Sequence, residues 1–403
     1  MGTLATFRSA SFLTSAAALA MLAGCANHGA VNGPFSRTSP KATAVVTQNV
    51  ETPSMAHAPQ NRESLGSAMS AQREPEPPAP GVTRVTIAQE GADFDPCVTP
   101  DGEHIVFAST RHRPTADIYV KRADGQVMTQ LTSDPADDAM PAVSPDGQRI
   151  AFASNRSGNW DIYIMPSIGG RAVQVTSDPA DELHPSWSPD GTNLTFSRMG
   201  EASRRWEIWV TNVSNSATAN FIGYGLFPQW APVAGTGSTG GDLILYQLGR
   251  ERGKRTFGLW TIEYTNGQVT SKSEIASSSD TALISPTWSP DGQWIAYAEV
   301  PAVTPDTPTS RASIFPTKGT MWMVGVDGSN KVQLASGPGA SLMPTWSVNQ
   351  RLFFVSNREG RESIWSMDMR SALLAATGYE HQGNARVANT PEPDDGTTPA
   401  GHQ

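Results

Sequence analysis

Few side chains in this sequence could do chemistry, and those few are scattered. Of the seven histidines, His28, His57, His381 and His402 lie in stretches with no strand or helix period, and His104 follows a turn. Only His112 and His184 remain for one face of a fold to bring together, too few for a histidine-based metal centre. The acidic run Asp134–Asp138 lacks the alternating oxygen ligands of a calcium loop. Val233–Asp242 (VAGTGSTGGD) is Gly-rich, but it has no Lys-Ser/Thr ending and no helix after it. It reads as a flexible hairpin extension rather than a phosphate cradle. There is no Gly-x-Ser-x-Gly elbow, and Cys97 has no basic residue close in sequence to activate it. A net charge of −9 and a pI near 5.3 argue against nucleic-acid binding. These residues predict no catalytic set, no metal and no cofactor.

What recurs instead is arginine near acid. Arg111, Arg156 and Arg198 each sit a few residues ahead of an acid that opens a strand: Asp117, Asp161 and Glu207. Pairs Arg111–Asp117, Arg156–Asp161 and Arg198–Glu207, forked across a hairpin, would orient the loop between two strands. Arg358 occupies the matching place further on.

The elements that must position these residues come from a repeat. Met140–Met165 (MPAVSPDGQRIAFASNRSGNWDIYIM) alternates apolar and polar residues on strand period, with a tight turn between its first two strands. The proline that opens it recurs as Pro96, Pro141, Pro185, Pro228, Pro286 and Pro344, spaced 45, 44, 43, 58 and 58 residues apart. Two residues after it come Val98, Val143, Trp187, Trp230, Trp288 and Trp346. The second strand carries Phe107, Phe152, Phe196, Tyr246, Tyr297 and Phe354, and the third Tyr119, Tyr163, Trp209, Trp260, Trp322 and Trp365. A period of about 40–45 residues with four strands per unit marks a β-propeller blade. The fold class is all-β: a six-bladed propeller of four-stranded antiparallel blades.

The first turn reads Thr99-Pro-Asp-Gly102, Ser144-Pro-Asp-Gly147, Ser188-Pro-Asp-Gly191 and Ser289-Pro-Asp-Gly292. Proline presets φ and glycine accepts positive φ, so these residues serve the backbone. The sixth unit has no fourth strand after Met367, whereas Val82–Ala88 (VTRVTIA) precedes the first unit with the right pattern. That N-terminal segment is expected to complete the last blade and close the ring. The residue before each opening proline then sits at the mouth of the central channel: Asp95, Met140, His184, Phe227, Ser285 and Met343. Two methionines, a phenylalanine and a histidine would suit a peptide laid across that mouth. The same side chains could equally pack against neighbouring loops.

Residues 1–25 read as an export signal with one charge, Arg8, and an apolar run too short for a confident membrane span. Leu22-Ala23-Gly24-Cys25 resembles the bacterial lipobox, which implies that Cys25 is acylated and leaves Cys97 without a disulfide partner. Residues 26–81 are rich in Ala, Pro, Ser and Thr and read as a disordered tether of 56 residues, with a reach of roughly 40 Å. Residues 82–369 make the propeller. Residues 370–403 read as a mostly disordered tail. The expected protein is a monomer held by a lipid anchor on the periplasmic side of the outer membrane.

The units Ser144-Pro-Asp-Gly, Ile150-Ala-Phe, Ser154-Asn-Arg and Asp161-Ile-Tyr, with their copies, resemble the repeats of TolB-type propellers across Val82–Met369. The resemblance implies a place beside the Tol-Pal envelope system, whose TolB propeller binds the peptidoglycan-associated lipoprotein across its channel mouth. By repeat position, Met140, His184, Phe227 and Met343 become contact candidates for an envelope protein or peptide. TolB carries an α/β domain ahead of its propeller, a place taken here by the low-complexity tether. Similar propellers occur in oligogalacturonate lyases, so an enzyme acting on polysaccharide is one alternative. A carbohydrate- or peptidoglycan-binding module is another.

Overall fold

The computed structural model describes residues 81–249, 256–302, 316, 318–335 and 337–377. The export segment, Cys25, the tether, most of the blade-5 insertion, Arg250–Arg255 and the tail beyond 377 lie outside the described residues.

Within them the chain forms six four-stranded antiparallel sheets. Blade 1 holds β2 (Asp93–Val98), β3 (His104–Ser109), β4 (Asp117–Arg122) and β5 (Met128–Gln130). Blade 2 holds β6 (Asp138–Val143), β7 (Arg149–Ser154), β8 (Asp161–Pro166) and β9 (Val173–Gln174). Blade 3 holds β10 (Glu182–Trp187), β11 (Asn193–Met199), β12 (Trp206–Asn212) and β13 (Asn215–Tyr224). Blade 4 holds β14 (Leu226–Trp230), β15 (Asp242–Gly249), β16 (Phe257–Thr265) and β17 (Gln268–Ala276). Blade 5 holds β18 (Thr281–Trp288), β19 (Trp294–Pro301), β20 (Thr320–Gly325) and β21 (Val332–Ala335). Blade 6 holds β22 (Ser341–Trp346), β23 (Arg351–Ser356) and β24 (Ser363–Asp368), and its outer strand is β1 (Val82–Arg84). The expected closure is therefore present: Val82, Thr83 and Arg84 pair with Met367, Ser366 and Trp365. Val85 and Thr86 extend the seam by donating to Ile364 O.

The second-strand aromatics Phe107, Phe152, Phe196, Tyr246, Tyr297 and Phe354 are all buried. Phe107 and Phe152 stack on the third-strand rings Tyr119 and Tyr163, with centroids 5.9 and 6.0 Å apart. The first-strand tryptophans tie blade to blade: Trp187 Nε1 donates to Ala142 O and Trp288 Nε1 to Gln229 O, each at 2.9 Å. In the Ser-Pro-Asp-Gly turns the aspartate is consumed locally. Asp146 Oδ1 accepts from Ser144 Oγ and Gln148 N, and Gly147 closes the turn at φ 70°.

Two segments differ from expectation. The Gly-rich loop of blade 4 is anchored rather than loose, because Glu263 lies under it. Glu263 Oε1 accepts from Thr239 N, Thr239 Oγ1 and Gly241 N, and Oε2 accepts from Ser238 Oγ and Ser271 Oγ. Those donors, led by the Thr239 hydroxyl, hold its carboxyl down at about 2. The chain beyond blade 6 begins with a helix, α1 (Arg370–Thr377), whose first turn is capped by Asp368 accepting from Arg370 N at 2.9 Å. Its Ala372, Leu373 and Ala376 pack into the cluster of Met321, Met323, Trp346 and Trp365.

Candidate functional site

Each innermost strand carries the same irregularity, and it builds the site. In blade 1, Phe94 pairs with Ala108 and Cys97 with Val106, so Asp95 and Pro96 together oppose Phe107 alone. The other first strands shift register in the same place, with the second-strand aromatic opposite the extra residue. This is a β-bulge. Proline suits it because that position needs no N–H in the ladder. The residue before the proline takes a left-handed conformation, with φ between 49 and 55° at Asp95, Met140, His184, Phe227, Ser285 and Met343. For residues with a Cβ this costs on the order of 1 kcal/mol or more at each position.

These six residues line one central cavity of about 120 Å³, together with five of their prolines, Pro96, Pro141, Pro185, Pro286 and Pro344. The bulge falls inside each first strand, so the ring lies within the channel rather than on its outer lip. Met140, His184, Ser285 and Met343 are buried, while Asp95 and Phe227 are half-buried. The sequence reading left out a second tier: Cys97, Gln229, Thr287 and Thr345 also line the cavity. Its signal was available, since all of them directly follow an opening proline. Cys97 is held by packing and by a contact from Val143 N to its Sγ at 3.4 Å, and burial pushes its thiol pKa up, away from reactivity.

Two polar groups in this ring stand out. His184 is 7% exposed, its ring lies 3.6 Å from that of Phe227, and neither ring nitrogen has a hydrogen-bond partner. Burial pushes its pKa down to about 3, so the imidazole is neutral. Asp95 Oδ2 accepts from Met140 N at 3.2 Å, which bridges blades 1 and 2. Burial among the surrounding blades lifts its carboxyl to about 7 against that hydrogen bond, helped by the charge of Glu362. His112 packs near Tyr119 and is not among the cavity residues, so the two candidate histidines do not meet.

The arginine pairs are real in kind but the acids are different. Arg111 Nη2 bonds both oxygens of Asp93 at 2.6 Å, not Asp117, while its Nε donates to Ser109 Oγ at 3.1 Å. Arg156 likewise takes Asp138 at 2.7 and 2.8 Å, not Asp161, with Ser154 at 2.8 Å. Ser109 is paired with Asp93 on one side and Asp117 on the other. The arginine two residues later folds back over the serine onto the inner acid. The outer acids have other donors: Arg113 and Gln130 for Asp117, Ser157 and Gln174 for Asp161. In blade 6 the fork of Arg358 falls on Ser356 and Ser341 instead.

Blade 3 departs further. Arg198 occupies the serine position, and Gly200 the arginine position, where a Cβ would stand 2.2 Å from Glu207 Oε1. Arg198 lies over the Trp209 ring at 3.4 Å and bonds Asp178 at 3.0 Å; Glu207 is satisfied by Ser203 and Trp209 rather than by Arg198. Glu182 is left 3.9 Å from Arg198 through Oε1, and its Oε2 has no partner.

Among the described residues, one group could hold a metal ion by proximity: Asp101, Glu103 and His104. It sits at a first turn, on the face opposite the arginines, and Asp101 Oδ1 already accepts from Thr99 Oγ1 and Glu103 N. No helix among the described residues is long and apolar enough to cross a membrane.

Residues 80–272 match the family model of the TolB beta propeller domain. No curated protein matches the chain. Among solved structures, a protein from Agrobacterium tumefaciens assigned as TolB superposes with a TM-score of 0.52 at 18% identity, covering 71% of this chain and 96% of that one. TolB from Acinetobacter baumannii superposes with a TM-score of 0.48 at 18% identity, covering 63% of this chain; the match spans 57% of that protein's length. An oligogalacturonate lyase in complex with manganese superposes with a TM-score of 0.47 at 13% identity, covering 73% of this chain and 96% of that one.

Proposed function

We propose that this chain, a propeller of the TolB type, binds a protein or peptide at its central channel and performs no chemistry of its own. The observation that carries the reading is the ring of six left-handed bulges around one cavity. Left-handed backbone at residues other than glycine is costly, and it persists where the surroundings impose it, often at recognition sites. Here it is repeated at every blade, and it sets Met140, Phe227 and Met343 around the axis. Thioether and aromatic side chains adapt to a partner's surface and dominate interface energetics. Neither ring nitrogen of His184 has a hydrogen-bond partner, while Asp95 accepts from Met140 N, so the two are not bonded to each other as an acid–base pair.

Capture from solubilised membranes tests this. Wild-type protein should retain an envelope partner that Met140→Asp, Phe227→Asp and Met343→Asp variants each lose by tenfold or more, with far-UV dichroism unchanged. Undiminished capture by all of the variants would remove the channel from consideration.

The setting we propose is the periplasmic side of an outer membrane, with acylated Cys25 as the anchor and a Pal-like lipoprotein as one candidate partner. Its support is the Leu22-Ala23-Gly24-Cys25 sequence and the family of the propeller. One acyl chain gives only marginal membrane binding, so a stable anchor at Cys25 needs a second acyl chain or a further membrane contact. Cys25→Ser should move the protein from the membrane pellet to the soluble fraction and abolish incorporation of labelled palmitate. A variant that stays in the pellet would rule the anchor out.

A further inference from the structure

The channel's electrostatics rest on one residue. Asp95 is the single acid among the cavity's lining residues, which include no lysine or arginine. We propose that the cavity receives a primary ammonium group, the tip of a lysine side chain presented by the partner. This rests on the channel being the binding site and specifies what enters it.

Three observations carry the inference. The first is charge: a carboxylate in a cavity walled by Met140, Phe227, Met343 and prolines has no compensating cation among the described residues that line it, and a buried charge is costly until it is paired. Two arginines on that side are already committed, Arg111 to Asp93 and Arg84 to Glu359.

The second is hydrogen bonding. His184 lines the same cavity, buried and neutral, with both ring nitrogens unpartnered. A neutral imidazole offers one lone pair and one N–H. A side-chain ammonium carries three donors and no acceptor, so it matches scattered oxygens and lone pairs such as those of Asp95, His184, Gln229 and Thr287. An anion would meet Asp95 with no cation among the described lining residues to hold it. A purely apolar tip would leave the imidazole unsatisfied, and a buried polar group without a partner is costly.

The third is size and surface. A water needs on the order of 10–15 Å³ of such space, so a cavity of about 120 Å³ admits the end of one side chain with accompanying waters. The Phe227 ring and the two thioethers provide a soft wall for the alkyl stem and a π face for the charge.

The test uses the full-length protein and two probe peptides, Ac-Gly-Lys-Gly-NH2 and the same peptide with norleucine, titrated by calorimetry or NMR in low salt at pH 8. The lysine peptide should bind at least tenfold more tightly than the norleucine peptide, and Asp95→Asn should erase the difference. Equal binding of the two peptides, absence of binding by both, or an unchanged lysine preference in Asp95→Asn would overturn the ammonium assignment. Membrane capture separates this from the broader reading. If Asp95→Asn still captures the envelope partner while Phe227→Asp does not, the channel stands as the binding site and the ammonium falls. If both capture it, the channel itself falls.

Discussion

Glu182→Gln is expected to stabilise the folded protein at pH 8 by on the order of 3–5 kcal/mol and to change it little near pH 4. Glu182 is almost wholly covered, and its Oε2 has no partner. Burial raises its carboxyl from an ordinary 4.5 to about 8; a hydrogen bond with Thr176 and the charge of Arg198 oppose the rise, and Asp161 and Asp178 add to it. The folded state therefore holds a proton that the unfolded chain releases. That contribution is complete below about pH 4.5 and is lost as pH climbs to about 8. Glutamine keeps the shape and carries no charge to desolvate, so the slope over that window should flatten. Urea denaturation of both proteins at pH 5 and 8 measures it. A glutamine variant less stable than wild type at pH 8 would mean that Glu182 is ionised and held by Arg198.

Removing the closing strand, with a chain that begins at Ala88, should cost most or all of the stability of the domain. The seam contains the β1–β24 ladder, two further bonds to Ile364 O, a bond from Ile364 N to Thr86 Oγ1 and a bond from Lys121 Nζ to Val85 O. Val82 and Val85 are buried as well. At about 1 kcal/mol for each bond and about 1.5–3 for each valine, the loss is comparable to the 5–15 kcal/mol that holds a typical domain together. The truncated chain should lose its cooperative urea transition, and a synthetic peptide of residues 81–89 should restore it by strand addition. Val85→Pro is a milder probe, because it deletes the N–H donated to Ile364 O and the packing of Val85 but leaves the β1–β24 ladder in the chain. A truncated protein as stable as the parent would show that the ring does not need its seam.

The blades were legible because the residues that define them do one packing job at a fixed spacing. Phe152 and its copies are fully covered in every blade, so no copy could drift to a polar type. The seam was legible by subtraction, since the last unit lacked a fourth strand. The acids that the arginines choose were not. Arg111 is six residues from Asp117 and eighteen from Asp93, and sequence distance favours the nearer one. Register decides otherwise, because both acids flank the same serine and the guanidinium folds inward. The left-handed ring was hidden for a different reason: Asp, Met, His, Phe and Ser share no turn preference. The conformation comes from the proline and the two-against-one register, which only the paired strands reveal. The helix after blade 6 was missed because eight residues carry too short a period to distinguish from a tail, and its stability comes from docking on blades 5 and 6.

Backbone geometry at each bulge is set by strand register rather than by one residue type, since Asp, Met, His, Phe and Ser all adopt it, so exchanges that keep side-chain volume and the bond from Met140 N to Asp95 should leave the disc intact. Around the axis the present setting reads Asp, Met, His, Phe, Ser, Met, like the tumblers of a combination lock. Exchanging letters at those six places should re-key the hole while leaving its frame intact, which makes the ring a natural starting point for redirecting the protein to a chosen ligand.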